Sequence, residues 1–444
     1  MPAVDPARET ALRLLCELEE HRAPINRLFA GLENSALDVR DRNFVRQLVL
    51  GTQRWLCRLD WIVDQFARRP IASCTPQARQ ILRLGVYQLL WLDRVPHRAA
   101  VHTSVELAKR SGHPGTARFV NAVLRQILRR KDRIPYPSRQ EDLAAHLAVY
   151  PSHPQWLVER WLQCWGTRAT EALLHANNTP APLYIRTNPL RTSPPELDAA
   201  LGAEGHKLQP CGPLEGYFAV EEAAGLFRSA AYCAGSFQVQ DINAGLPAAL
   251  LAPRPGERVL DLCSAPGGKA TQLAEMMRDQ GLVVAADSSP TRLRLVRDNA
   301  QRLALQCIHL LAHDAATSGP GDFDRILADV PCSNTGIFGR HPDARWRKCA
   351  AQLPDLVAVQ RSILHRAFAR LKAGGVLVYS TCSLETEENS ATVESFLAEV
   401  PEAHLEEAHA FFPNHPWAQH YVQTLPGRDP GDACFAARIR KREQ

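Results

Sequence analysis

The sequence predicts an all-α bundle over residues 1–134, a small connecting α+β region over 135–230, and an α/β domain over 231–444. Three observations predict this division. Apolar residues repeat at helical spacing through the first part, and proline-rich stretches such as "RIPYPSRQ" and "VYPSHPQW" interrupt the pattern in the second. In the third part short strands alternate with helices, which is typical of a parallel sheet with helices on both faces.

The helices of the bundle are indicated by their spacing and by their start signals. "PARETALRLLCELEE" and "DRNFVRQLVLGTQRWLCRLDWIVDQFA" carry apolar residues at positions that share a helical face. In "TPQARQILRLGVYQLLWLD", Thr75 is a candidate N-cap and Pro76 occupies the first helical position. "GTARFVNAVLRQILRRKDR" predicts a further helix near the end of the bundle, and the connecting region then offers a short helix, "PQWLVERWLQCWG", and a short strand, "PLYIRTNPL".

In the third part, two predicted strands each lead into a helix. "RVLDLC" passes through a glycine turn into "KATQLAEMMRD", and "LVVAAD" passes into "PTRLRLVRDNAQRLA". "CIHLLAHD" and "FDRILADVP" are further candidate strands, and the helix around "DLVAVQRSILHRAFARL" precedes the strand "GGVLVYSTC".

Composition narrows the class of protein. The 444 residues are 45% apolar and 22% charged with a net charge of +5, so any nucleic-acid surface would have to be local. The 12 cysteines include no C-x-x-C pair, which argues against a disulfide framework and a structural zinc site, and we expect no metal. We also see no signal peptide and no apolar run approaching 18 residues, so we expect a cytoplasmic protein without membrane contact.

The glycine turn "CSAPGGK" lies between a strand and a helix, where glycines let the backbone approach a ligand at the helix N-terminus. It is not a P-loop, because Cys263 stands where the first glycine should be and Ala270 follows Lys269 where Ser or Thr should be. It does not match G-x-G-x-x-G either. The turn therefore predicts a ligand site of another kind.

Two acidic residues follow the turn at strand ends. Asp287 ends the second strand, about twenty residues after the turn, where an acid suits two ribose hydroxyls. Asp314 falls near the end of the third strand, where an adenine amino group could lie. Either acid alone could equally cap a helix or a turn. Together with the glycine turn they favour an adenosyl ligand without a pyrophosphate, and S-adenosyl-L-methionine fits better than NAD.

Two cysteines, Cys332 in "LADVPC" and Cys382 in "VLVYSTC", also end strands. A lone cysteine is usually a buried structural residue, but two beside a cofactor turn favour chemistry. A thiolate that adds to carbon 6 of a pyrimidine makes carbon 5 able to attack a methyl sulfonium. Asp329 is placed to support protonation of the ring near N3, and the second thiol could assist expulsion of the first.

Three of these stretches, "DLCSAPGGK", "ADVPCSNTGIFGRHPDARW" and "YSTCSLETEEN", resemble the RNA 5-methylcytosine methyltransferases of the Nop/Sun family. The N-terminal "VPHRAAVHTSVELAKRSG" and "ARFVNAVLR" resemble the NusB-like domain of one branch, which methylates a cytosine in bacterial small-subunit (16S) ribosomal RNA. The resemblance covers nearly the whole chain. It implies an α/β Rossmann-like, S-adenosylmethionine-dependent methyltransferase domain preceded by a NusB-like bundle.

The resemblance also implies roles for individual residues. Cys382 would be the nucleophile, Cys332 would assist release, and Asp329 would contact the cytosine. The cofactor site would be lined by the turn and three acids: Cys263, Ser264, Ala265, Pro266, Gly267, Gly268, Lys269, Asp287, Asp314 and Asp329. The chain departs from the family at Ser264 and Val330, where the family often has Ala, and at Ala433 and Cys434, where it often has Gly and Phe. We expect a monomer whose partner is small-subunit ribosomal RNA.

Two basic stretches are candidate RNA contacts. One helix carries several cations that could track phosphates or form a solvated face: Arg118, Arg125, Arg129, Arg130, Lys131 and Arg133. "GRHPDARWRK" adds Arg340, Arg345 and Lys348, and its Trp346 could meet a stacked base or be part of a core.

Two other functions remain open from the residues. The same chemistry could act on transfer RNA or DNA, although DNA enzymes would be expected to use the Pro-Cys thiol as the nucleophile, so the Thr-Cys motif argues against DNA. A non-enzymatic RNA-binding or antitermination factor would need only the NusB-like part. The set of Cys332, Cys382 and Asp329 argues against that reading.

Overall fold

The computed structural model describes residues 5–21, 24–110, 114–317 and 321–443. The chain forms two compact units. The first contains residues 1–179 together with 340–348, and the second contains residues 180–339 and 349–444. Residues 135–179 therefore pack with the helical bundle, and the predicted division into three domains stays a prediction. Among the described residues, no helix combines the length and apolar character needed to cross a membrane.

The first unit is helical, as predicted. Its helices are α1 Pro6–His21, α2 Ile25–Glu33, α3 Val39–Arg54, α4 Leu56–Phe66, α5 Pro76–Trp91, α6 His97–Arg110, α7 Pro114–Arg130, α8 Leu143–Val149 and α9 Gln155–Asn178. Thr75 caps α5 as expected, because its hydroxyl accepts a hydrogen bond from the backbone N–H of Ala78 at 3.4 Å. The apolar faces of these helices meet in one core that includes Leu15, Leu48 and Leu124.

Residues 340–348 complete this helical unit. The Arg345 side chain is fully buried and donates hydrogen bonds to the carbonyl oxygens of Ser152 and Asn177, each at 3.0 Å. The indole N–H of Trp346 donates to the carbonyl oxygen of Gln53 at 2.6 Å. The interpretation of Arg345 as an RNA contact is wrong, because its guanidinium binds buried carbonyl groups and is closed to solvent.

The second unit begins with a small antiparallel sheet. Its strands and helices are β1 Leu183–Thr187, α10 Pro194–Ala203, β2 Leu208–Pro210, β3 Tyr217–Val220, α11 Ala230–Cys233 and β4 Phe237–Val239. The strands lie in the order β2-β3-β1-β4. The predicted strand "PLYIRTNPL" is confirmed as β1.

The larger sheet of the second unit carries the glycine turn and both thiols. The elements are α12 Leu246–Leu251, β5 Arg258–Leu262, α13 Gly268–Met276, β6 Leu282–Asp287, α14 Pro290–Leu303, β7 Ile308–Ala312, β8 Phe323–Asp329, α15 Leu353–Ala369, β9 Leu371–Thr381, α16 Ser390–Glu399, β10 Ala403–Glu406, β11 Val422–Gln423 and β12 Phe435–Lys441. The order is β10-β12-β9-β8-β5-β6-β7, with β11 paired to β12.

Strands β5 to β9 of this sheet are parallel, as predicted. The sequence did not predict β10, β11 and β12, which extend the sheet in antiparallel pairing beyond β9. Since β5, β8 and β9 are neighbours, their carboxyl ends meet at one edge. The turn after β5 and the cysteines after β8 and β9 are therefore brought together.

Candidate active site

The glycine turn joins β5 to α13 and leaves little room for side chains. Gly267 has a left-handed φ of 101°, and a Cβ there would lie 3.0 Å from the Cα of Val296 in α14. Cys263 also adopts a positive φ, of 59°, although it is not glycine. This tight backbone path brings the N-terminus of α13 to the carboxyl edge of the sheet.

A cavity of about 450 Å³ opens at this edge. Six of the predicted cofactor residues line it: Cys263, Ala265, Lys269, Asp287, Asp314 and Asp329. The other four, Ser264, Pro266, Gly267 and Gly268, belong to the turn but are not part of the cavity wall. Cys332 and Cys382 line the same cavity, so one space contains the predicted ligand acids and both thiols.

Asp287 is almost fully buried at the end of β6, and its carboxylate accepts hydrogen bonds from two backbone N–H groups. Oδ2 accepts from Ala265 at 3.2 Å and Oδ1 accepts from Ser289 at 2.9 Å. The guanidinium of Arg292 lies 3.3 Å from Oδ2. Asp314 accepts from the N–H of Ala316 at 2.9 Å. Both acids therefore cap turns as well as lining the cavity.

The two thiols are in direct contact. Sγ of Cys332 lies 3.3 Å from Sγ of Cys382, and the Cys382 thiol also reaches Oδ1 of Asn334 at 3.0 Å. Asn334 has a left-handed φ of 60°, which asparagine tolerates better than most residues. The hydrogen bond to Cys332 and burial raise the pKa of Cys382 well above its ordinary value. At neutral pH this thiol holds its proton.

Asp329 ends β8 beside the thiols and is held by two partners. Its Oδ2 forms an ion pair with Nζ of Lys269 at 2.7 Å, and its Oδ1 accepts from the hydroxyl of Ser380 at 2.8 Å. Burial by itself would lower the pKa of Lys269, but the Asp329 carboxylate raises that pKa above its ordinary value. Lys269 is therefore a cation in the cavity wall.

The loop after Cys332 passes closely against the strand end that carries Cys382. The N–H of Gly336 donates to the carbonyl oxygen of Cys382, and the N–H of Ala433 donates to the carbonyl oxygen of Gly336, each at 3.0 Å. A Cβ on Gly336 would overlap the side chain of Ala433. This contact fixes the backbone on which Cys382 stands.

Family comparisons match three parts of the chain. The 16S rRNA methyltransferase RsmB/F model matches residues 248–440, the NusB family model matches 5–129, and a ferredoxin-like domain of RsmF/B-like methyltransferases matches 153–223. The "Probable ribosomal RNA small subunit methyltransferase B" of Bacillus subtilis (strain 168) is 35% identical over 405 residues, 89% of each chain. The chain belongs to the RsmB/F methyltransferase family. This confirms the Nop/Sun branch and the enzyme class expected from the sequence.

A further relative agrees with this assignment, and a solved structure agrees with the fold. The "Ribosomal RNA small subunit methyltransferase B" of Escherichia coli O1:K1 / APEC is 33% identical to this RsmB/F methyltransferase over 438 residues, 98% of each chain. A solved structure of NSun6 from Pyrococcus horikoshii with SFG superposes with a TM-score of 0.60 at 23% identity, covering 66% of this chain and 99% of that chain. The fold class predicted from the sequence is confirmed.

Sequence reasoning missed several polar residues of this RsmB/F methyltransferase. Asn334 between the thiols and the buried carboxylate of Glu388 were not singled out. Lys269 was assigned to the cofactor turn, whereas the structure also pairs it with Asp329. Glu388 lies within the quoted stretch "YSTCSLETEEN". Because this motif continues beyond Cys382, its length was a signal that residues after the cysteine also belong to the site.

Proposed function

We propose that this RsmB/F methyltransferase transfers a methyl group from S-adenosyl-L-methionine to carbon 5 of a cytosine in small-subunit ribosomal RNA. The reaction proceeds through a covalent adduct between Cys382 and the cytosine. The observation that carries the proposal is the thiol pair, 3.3 Å apart, in the cavity that also contains Asp287 and Asp314. The names of the relatives from Bacillus subtilis and Escherichia coli support the RNA substrate.

The residues present fit S-adenosyl-L-methionine. The cavity volume of about 450 Å³ lies within the range of small-molecule sites. Asp287 would accept from the ribose hydroxyls and Asp314 from the adenine amine, since each carboxylate oxygen keeps a spare lone pair beside its backbone partner. SFG, bound in the NSun6 structure, is an analogue of this cofactor. When bound, S-adenosyl-L-methionine supplies the methyl group as an electrophilic sulfonium.

Cys382 acts first. Its thiol must give to water the proton that its raised pKa holds, and the cationic Lys269 nearby favours that loss. The thiolate then forms a bond from Sγ to carbon 6 of the cytosine, and the displaced ring electrons make carbon 5 nucleophilic. Asp329 contacts the ring near N3 and supports its protonation.

Release reverses this addition. After carbon 5 has gained the methyl group, carbon 5 and N3 give their protons to water and the bond between Sγ and carbon 6 breaks. The released thiolate of Cys382 then takes up a proton, which restores the starting thiol. Cys332 assists this step, because its Sγ lies within proton-transfer distance of Cys382. The two thiols thus open and close one catalytic cycle.

Single cysteine variants test this division of roles. Cys382→Ala is expected to abolish formation of 5-methylcytidine and to form no covalent RNA complex. Cys332→Ala is expected to leave protein and RNA joined, as a band that survives denaturing gel electrophoresis. Cys349→Ala, which removes an exposed thiol outside the cavity wall, is the control and should behave as the unmodified protein.

Two results would contradict the assignment. Trapping by Cys382→Ala but not by Cys332→Ala would reverse the roles of the thiols. Methylation at the normal rate by Cys382→Ala would remove the covalent mechanism altogether. Assays with both naked and assembled small-subunit ribosomal RNA, read by mass spectrometry of nucleosides, identify the methylated atom and the form of the substrate.

The second part of the proposal concerns RNA binding by the helical unit. Along α7 and the turn that follows it, six cations are exposed: Arg118, Arg125, Arg129, Arg130, Lys131 and Arg133. We infer that this α7 surface binds RNA phosphates and contributes affinity but no chemistry, because closely spaced exposed cations favour release of counterions from RNA.

A further inference from the structure

A buried carboxylate lies behind the two thiols. The Glu388 side chain is fully buried and accepts hydrogen bonds from four donors in the second unit. Oε1 accepts from the backbone N–H of Ser333 and from Nε2 of Gln360, each at 2.8 Å. Oε2 accepts from the hydroxyls of Ser333 and Ser383. Both oxygens are therefore fully engaged.

The two serine donors are the sequence neighbours of the two cysteines. Ser333 directly follows Cys332, and Ser383 directly follows Cys382. The two serine hydroxyls also lie 2.9 Å from each other. One carboxylate therefore joins the loop after β8 to the loop after β9 at the positions next to the two sulfur atoms.

A third element is attached to the same carboxylate. Nε2 of Gln360, on α15, donates to Glu388 and also to the carbonyl oxygen of Pro331 at 3.0 Å. The backbone carbonyl of Glu388 accepts from the hydroxyl of Tyr379 in β9 at 2.6 Å. Glu388 thus links β9, α15 and the Pro-Cys loop.

A fully buried glutamate without a basic partner is unusual. Within the described part of the chain, no Lys, Arg or His side chain forms an ion pair with it. Burying a charge is costly unless hydrogen bonds replace water. An apolar side chain would fill the same space at a lower desolvation cost, but it would not accept hydrogen bonds from two loops at once.

We propose that Glu388 is a positioning residue that holds the Cys332 and Cys382 loops together, so that both sulfur atoms reach the same ring. The proposal rests on the proposed function for its catalytic consequence. Its geometric part does not, because the distance between the two thiols can be measured without any methyl transfer. Glu388 does not touch the substrate and acts through Ser333 and Ser383.

Three variants of the full chain test the proposal. Glu388→Ala removes all four acceptor contacts and leaves the N–H of Ser333 without its partner. Glu388→Gln keeps an acceptor for that N–H, and the serine hydroxyls can turn to accept from its amide, so it should rescue most of the arrangement. Glu387→Ala, at the exposed neighbouring glutamate, is the matched control.

The first readout is disulfide formation with diamide. The thiols of Cys332 and Cys382 each lose a proton and together give two electrons to the azo bond of diamide, which becomes a hydrazine while the S–S bond forms. Peptide mapping after alkylation gives the rate for this pair. We expect Glu388→Ala to slow it about tenfold or more, because small displacements of reacting groups have large effects.

The second readout is steady-state methylation. We expect Glu388→Ala to lower kcat by about tenfold or more with the KM for S-adenosyl-L-methionine unchanged, since the glycine turn is untouched. Glu388→Gln should keep both rates within about threefold of the unmodified protein, a difference below one kcal/mol by the usual conversion. Glu387→Ala should match the unmodified protein in both assays.

The outcomes separate this inference from the proposed function. Unchanged disulfide formation and unchanged kcat in a folded Glu388→Ala protein would overturn the positioning role. Slowed disulfide formation, together with no 5-methylcytidine from any protein including the unmodified one, would overturn the proposed function and support the geometric role. If Glu388→Ala does not fold by circular dichroism, Ser383→Ala removes a single hydroxyl and should show the same effects at smaller size.

Discussion

Asp287 shows how one side chain can serve both the fold and the ligand. Its two carboxylate oxygens accept from the backbone of the glycine turn and of the segment before α14. Each oxygen can accept a second hydrogen bond. Its proposed contact with the ribose hydroxyls is therefore compatible with its role as a cap, and a test has to separate the two.

Asp287→Ala is expected to weaken binding of S-adenosyl-L-methionine tenfold or more. Hydrogen bonds to a charged acceptor contribute about 1.5–3 kcal/mol, and about 1.4 kcal/mol corresponds to one decade. Isothermal titration calorimetry measures the change. Asp279→Ala is the control, because Asp279 accepts from Gln306 and Cys307 in the same way but does not line the cavity. Equal affinity for Asp287→Ala and the unmodified protein would remove this assignment.

The burial of Asp261 makes the stability of the protein depend on pH. It lies on β5 and is fully buried, and burial raises the pKa of its carboxyl to about 7. In the unfolded chain an aspartate has a pKa of about 3.9. Between these two values the folded protein holds a proton that the unfolded chain has lost. Stability therefore falls as the pH rises from about 4 to about 7.

Asp261→Asn should reduce this pH dependence. Asparagine keeps the shape of the protonated acid and carries no charge, so the variant should gain stability relative to the unmodified protein as the pH rises. The slope from one such group reaches about 1.4 kcal/mol per pH unit inside the window. Urea denaturation at pH 5 and pH 8 measures it, and an identical pH dependence in both proteins would contradict the raised pKa.

The sequence predicted which residues meet at the sheet edge but not what holds them there. Cys332, Cys382 and Asp329 follow neighbouring parallel strands, and such strand ends share an edge. Glu388 belongs to the turn before α16, and its contact with Ser333 depends on how that turn returns over the sheet. No spacing rule gives this path, because it is fixed by packing against α15.

At the scale of elements, β12 shows why some strands were missed. "FAARIRK" contains two arginines, a pattern typical of a solvent-exposed segment. In the structure Arg438 is buried, donates to the carbonyl oxygens of Leu250 and Leu251 at 2.6 and 2.8 Å, and pairs with Glu406 of β10. A buried cation whose partners lie far away in sequence cannot be distinguished from a surface cation by pattern alone.

The α7 surface can be tested by its salt dependence. Replacing Arg125, Arg129 and Arg130 together by Gln should weaken RNA binding and lower the slope of log affinity against log salt by about 2. This value follows because each phosphate of single-stranded RNA that a cation neutralises contributes about 0.7 to the slope. Fluorescence anisotropy over a series of salt concentrations measures both the affinity and the slope.

Matched substitutions elsewhere on the helical unit control for net charge. Arg13, Arg27 and Arg40, exposed in α1, in α2 and at the start of α3, can be replaced together by Gln without changing the α7 surface. We expect these changes to leave the salt slope nearly unchanged. If the α7 variant kept the slope of the unmodified protein, the six cations would form a solvated face with no RNA contact.

At the scale of the whole chain, the first unit is assembled from two separated segments. Residues 340–348 are polar in sequence, so hydropathy assigns them to the surface. Their burial depends on carbonyl groups at the ends of distant helices. The sequence therefore predicted the helical bundle but not the segment that completes it.

Arg345→Ala is expected to destabilise the helical unit by about 2–5 kcal/mol. The substitution removes donors from the carbonyl oxygens of Ser152 and Asn177 and from Oδ1 of Asn178, and it leaves these buried acceptors unsatisfied. Hydrogen exchange of the α9 amides should become faster. Lys348→Ala, at the half-buried end of the segment, is the control, and equal protection in both variants would contradict this role.

The separated segment also sets an order of events during synthesis on the ribosome. About 160 residues lie between the two parts of the helical unit. At about 5–20 residues per second, their translation takes on the order of 10–30 s. During that time the helices have emerged but the carbonyl groups that Arg345 will bind have no partner from the segment. The helical unit, although first in the chain, completes its packing only after four of the eight strands of the larger sheet, β5 to β8, have been made.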